Sequence, residues 1–150
     1  MKTRISVLLA RAMLVSAMIL PAGAAAPEVY RETQVISTEY GEIEVETTLV
    51  IYDSFFRSST KRADKTQTYK YDGTEIATAT LSATFGYDGS SSWVESASAS
   101  HSTSGGWSYG SQSIAKSGGT ATLTATLSHA ALRPMPVNIS MSCTSSGKIS

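Results

Sequence analysis

Residues 78–100, TATLSATFGYDGSSSWVESASAS, alternate with a period of two. Ala79, Leu81, Ala83, Phe85 and Tyr87 take the odd positions, with Thr, Ser or Gly between them. Successive side chains of a strand point to opposite faces, so the pattern describes a strand with one apolar and one hydroxyl face. Asp88-Gly89 follows as a turn signal, because Gly accepts positive φ without steric cost.

Parity constrains that turn. A strict two-residue loop at Asp88-Gly89 pairs odd positions before it with even positions after it, setting Leu81 and Phe85 beside mostly Ser. A longer loop, or a turn with a one-residue bulge at the Gly, pairs odd with odd. Phe85 and Ala83 then share a face with Trp93 and Ala97. The motif repeats: YKYDGT (69–74) and FGYDGS (85–90) share aromatic-x-Tyr-Asp-Gly-hydroxyl. The same logic brings Tyr69 near Ala77. Bulged hairpins at both sites predict a meander across residues 64–103. Small Ala residues facing inward let two sheets approach, with Trp93, Phe85 and Leu81 as bulky plugs. Ser and Thr face water and keep the strand preference.

The same period runs outward from this stretch. Ile43, Val45, Leu49 and Ile51 alternate with Glu42, Glu44, Glu46 and Thr48. Ala121, Leu123, Ala125 and Leu127 alternate with Thr122, Thr124 and Thr126, and Met135, Val137, Ile139, Met141 and Cys143 share one parity. No helical period competes after the N-terminus. About seven or eight short strands predict an all-β fold, an immunoglobulin-like antiparallel β-sandwich, over residues 41–150. Residues 25–40 read as an N-terminal segment.

Residues 1–24 read as a signal peptide. Lys2, Arg4 and Arg11 precede a short apolar run, Ala12 to Leu20, and Ala22-Gly23-Ala24 meets the small-residue cleavage rule. The run is too short to span a bilayer. No Cys stands directly after it and no second apolar run appears, so the expectation is a secreted, extracellular protein without a membrane span in its mature chain. Losing three basic residues from a chain of formal net charge +0 leaves a slight acidic excess, which excludes a strongly basic nucleic-acid binder.

Charge is segregated along the chain. Arg57, Lys61, Arg62 and Lys65 form a candidate anion patch, against the ordinary reading of solvated strand faces. No acid follows Glu95. GWSYG (106–110) matches the Gly-x-Ser-x-Gly nucleophile elbow, and His129 follows Ser108. An acid must lie between them in that chain order, so the triad cannot be completed and the expectation is a non-enzyme. His101 and His129 fall on apolar parities and read as structural histidines rather than metal ligands, since a zinc site needs three or four ligands. No cofactor is implied. Cys143, the single cysteine, reads as a buried small hydrophobe, so packing alone must hold the domain. Asn138-Ile139-Ser140 is a glycosylation sequon inside an expected strand. Trp107 and Tyr109, set among Gly and Ser, are the candidate ligand-binding residues, because aromatic faces stack on sugars.

Three segments carry a family resemblance: RSSTKRADKTQTYKYDGTEIATATLSATFGYDGSS, GWSYGSQSIAKSGGTATLTATLS and PVNISMSCTSSGKIS. Over residues 57–150 the chain resembles a family of small secreted proteins of Gram-positive, gut-type bacteria. Those proteins have Tyr-Asp/Asn-Gly hairpins, a Trp-centred strand, a Lys-Ser-Gly turn and a closing Cys-x-x-x-Gly segment. The resemblance implies secretion and an all-β domain and transfers no catalytic residue. Some relatives carry a further Cys near the position of Trp93, which this chain lacks. The leading expectation is an extracellular binding module for a glycan, the cell wall or a protein. A structural, self-associating surface protein is the alternative, and a hydrolase a distant third.

Overall fold

The computed structural model describes residues 26–38, 41–52 and 59–150. The signal peptide and Arg57 lie outside them. Eight antiparallel strands form two sheets: β1 (Glu28–Thr38), β2 (Gly41–Tyr52), β3 (Thr60–Tyr71), β4 (Thr74–Tyr87), β5 (Ser92–Thr103), β6 (Ser108–Ser117), β7 (Thr120–His129) and β8 (Leu132–Ser142). The first sheet is ordered β1-β2-β3-β4-β5 and the second β6-β7-β8. Every neighbour is the next strand in the chain, a plain meander rather than the Greek-key order of immunoglobulin domains. Residues 25–40, set apart in the sequence reading as an N-terminal segment, contain β1, which pairs with β2 along its whole length.

The three-stranded sheet lies over β3, β4 and β5. Leu81, Phe85, Leu123, Leu127, Val137, Ile139 and Met141 are fully buried between the sheets. Ala63, Ala79, Ala83 and Ala121 provide the close approach expected of small inward residues. Cys143 is buried, as its parity predicts, and burial raises its thiol pKa. A closing turn ties this end down. Ser92 Oγ donates to the Cys143 carbonyl at 2.6 Å, and the Cys143 amide donates to the Gly119 carbonyl at 2.8 Å.

The two Asp-Gly hairpins differ from each other. Asp72 (φ 49°) and Gly73 (φ 72°) form a two-residue loop closed by the pair Tyr71 and Thr74. Positive φ at both central residues is what a type I′ turn requires. The bulge lies further along β4, where the register shifts and leaves Ile76 between the pairs Lys70–Glu75 and Tyr69–Ala77. Tyr69 therefore meets Ala77 as expected. The second hairpin closes at Tyr87 and Ser92, a four-residue loop. The Asp88 carboxylate accepts the Ser90 and Ser91 amides at 2.9 and 2.7 Å, which holds its pKa below the usual value. Its bulge falls at Glu95, not at the Gly, so Ala83 still meets Ala97. Before the bulge Phe85 meets Val94, and Trp93 pairs with Gly86 on the opposite face. Trp93 is thus no core plug. It is 39% exposed.

Candidate functional site

Trp107, expected as a contact residue, is a core residue with 8% exposure. It stands where the chain crosses from β5 to β6, and its amide donates to the Ser104 carbonyl at 3.2 Å. The His129 ring tilts against it at 5.2 Å between centroids. His129 Nδ1 accepts the Ala131 amide at 3.2 Å, which leaves Nε2 as the protonated nitrogen of the neutral ring. Tyr109 is half-buried and stacks on His101, centroids 3.9 Å apart and planes 12° from parallel. Its hydroxyl donates to Gln112 Oε1 at 3.1 Å. The expected Trp107–Tyr109 platform is therefore a packed seam, with both histidines used as ring partners. Ser108 begins β6 and donates to the Ser128 carbonyl at 3.3 Å. It lies in a strand-on-strand setting, without the strand-to-helix turn of a nucleophile elbow.

The described members of the anion patch do not share one face. Lys61 and Lys65 share the inward parity of β3 with buried Ala63, whereas Arg62 points to the outer face. Lys65 Nζ donates to the Ser140 carbonyl at 2.9 Å. Burial lowers its pKa, and Glu32 partly opposes that shift. Alternation within a strand separates neighbouring basic residues by construction. Asn138 of the sequon is exposed on β8, and its carbonyl accepts Gln67 Nε2 at 3.4 Å.

A different surface carries two exposed rings. Tyr52 (41% exposed) and Trp93 (39%) both lie on the outer face of the five-stranded sheet, at the same end. Trp93 covers Gly86: a Cβ on that glycine would run into the indole at Cε2 and Nε1. The missing side chain leaves room for the ring against the sheet. Two pairs further along the ladder, and so on the same face, Tyr52, Arg62, Thr84 and Ser96 form a cross-strand row. The Arg62 guanidinium sits 5.3 Å from the Tyr52 ring centroid and pairs with Asp64 at 3.2 Å. The Tyr52 hydroxyl donates to Asp64 Oδ2 at 3.1 Å, and its pKa is raised by burial first and by Asp64 next.

Along this row and the next one inward lies a shallow depression lined by Arg62, Ser82, Ala83, Thr84, Ser96 and Ser98. Three strand spacings separate β5 from β2, so the backbones that carry the two rings stand roughly 14 Å apart, and the indole reaches back from β5 over β4. Beyond the depression the hydroxyls pair with one another, Thr66 with Thr80 at 2.8 Å and Thr78 with Ser102 at 2.6 Å. A roomier hollow near the opposite end is lined by Glu42, Glu44, Lys70, Asp72 and Tyr71, and its single ring is half-buried.

Sequence reasoning passed over Tyr52 and Asp64 and placed Trp93 on the wrong face. One signal for the site was present: Gly86 interrupts the hydroxyl parity of β4, and a glycine inside a strand marks close approach by another group. Among the described residues no group of three or more His, Cys, Asp or Glu gathers to hold a metal ion. No family model, curated protein or solved structure matches the chain.

Proposed function

We propose that this protein is a secreted binding module that recognises a neutral polysaccharide through the outer face of its five-stranded sheet. The observation that carries this reading is the exposed indole of Trp93 packed against Gly86, in the same face as Tyr52. A flat ring offers apolar area to the C–H face of a sugar, while neighbouring polar groups meet its hydroxyls. Ser82, Thr84, Ser96 and Ser98 are those groups here. Arg62 and Asp64, the charged residues beside Tyr52, neutralise each other. That neutrality favours an uncharged chain over an anionic one.

The test is retention of the purified protein on insoluble neutral polysaccharides and on cell wall, with the bound fraction read by tryptophan fluorescence. Trp93→Ala is expected to abolish retention and Tyr52→Ala to weaken it, with the far-UV spectrum unchanged in both. Retention that survives Trp93→Ala, or none on any polymer of the panel, would overturn the reading.

A further inference from the structure

Two open sheets have four edge strands, and an edge with free backbone groups is a template for pairing unless something blunts it. Three of these edges are blunted. β8 carries Pro134 and Pro136, which cannot donate to a ladder. Lys65 and Gln67 reach from β3 to its carbonyls at Ser140 and Asn138, and Ser150 exchanges two bonds of 3.0 Å with Ser142. β5 is bulged at Glu95 and tied to the other sheet where the Val94 amide donates to the Gly118 carbonyl at 3.1 Å. β6 breaks register between Gly110 and Ser113, with Ser111 at φ 54°.

β1 has none of these devices. Its register against β2 runs unbroken from Glu28 to Thr38, with no Pro, Gly or Lys along its length. Its outer edge meets no strand among the described residues. Tyr30 on this strand is the most exposed large hydrophobic among them, at 47%.

We infer that β1 pairs antiparallel with β1 of a second copy, centred on Thr33, to give one continuous ten-stranded sheet. The occupant is argued from self-complementarity. A two-fold axis perpendicular to the sheet keeps equivalent faces together, so odd residues must oppose odd ones. Centring on Thr33 uses the whole strand and sets Arg31 opposite Val35, Glu32 opposite Gln34, and Tyr30 opposite Ile36. Moving the centre one residue toward the N-terminus puts Glu32 against Glu32, and two residues puts Arg31 against Arg31. Like charges directly opposed destabilise a ladder. Centring on Gln34 gives up the pairs at Glu28 and Val29. One register keeps every residue and opposes no like charges.

The pairing stands independently of the polysaccharide reading. If both hold, the two Trp93 faces look the same way, and a polymer is held at two points instead of one.

The experiment is sedimentation equilibrium on the purified full chain, with no polysaccharide present. Wild type is expected to show a concentration-dependent monomer–dimer equilibrium. Thr33 is exposed, so Thr33→Lys and Thr33→Glu leave the fold intact while placing like charges across the axis. Each variant alone is expected to be monomeric, and an equimolar mixture to recover the dimer. A wild type that stays monomeric at every concentration would overturn the proposal. So would a dimer that persists in both single variants, or a mixture that fails to reassociate.

Discussion

Trp93 and Trp107 are the same residue type in similar company, each close to Gly and Ser, yet the fold uses them in opposite ways. Trp107 sits at the crossing between the two sheets, where the second sheet covers it and His129 closes over the ring. Trp93 lies on the face that the second sheet does not reach and rests on a glycine. The difference teaches that an aromatic ring's role here is set by which side of its sheet it occupies. One tryptophan supports the fold, and the other is available to a ligand.

The largest test of that contrast is stability. Trp107→Ala removes a buried indole and is expected to cost about 3–5 kcal/mol in denaturant unfolding. Trp93→Ala, at an exposed site, is expected to change stability by no more than about 0.5–1 kcal/mol. Equal losses would erase the distinction.

The interior has a pH signature as well. Tyr69 is buried and donates its hydroxyl to Gln67 Oε1 at 2.6 Å. Burial, and secondarily Tyr109, raises its pKa above the ordinary 10.0. A raised phenol pKa means that the folded state holds its proton more tightly than the unfolded one. Its contribution is therefore fully present below pH 10 and is lost as pH climbs toward the folded value. Thermal midpoints are expected to fall steeply above pH 10, and Tyr69→Phe should flatten that alkaline limb. An unchanged limb in Tyr69→Phe would assign it to other groups.

Smaller effects sharpen the outer-face half of the comparison. Gly86→Ala should lift the Trp93 ring off the sheet, lowering polysaccharide retention several-fold with little loss of stability. A variant that binds as wild type would show that the seat is unimportant. The smallest expected signal is spectroscopic: Trp93→Phe should remove the emission that aqueous iodide quenches, and Trp107→Phe should leave it. The reverse assignment would contradict the exposures of the two rings.

Much of the fold was legible in the residues. Ala79, Leu81, Ala83 and Phe85 face the core, as do Leu123 and Leu127 and the series from Met135 to Cys143, where their parity places them. Both Asp-Gly sites are turns, and both hairpins carry a bulge. The site was less legible for an identifiable reason. Moving the second bulge from Gly89 to Glu95 leaves Ala83 and Ala97 paired but turns Trp93 over, because one extra residue on a period of two exchanges the faces. The basic stretch from Lys61 to Lys65 looks like a patch in one dimension, and alternation divides it between two sides of the sheet.

What the sequence determined by itself is local: strand type, relative facing within an uninterrupted strand, and the positions of the turns. These follow from the geometry of an extended backbone and the conformational freedom of Gly, and need no distant partner. What only the tertiary structure decided is where each bulge falls, which face the second sheet covers, and so which rings remain exposed. Those outcomes depend on pairing and packing between segments far apart in the chain, where the best-packed interior selects among registers that the local pattern leaves equivalent.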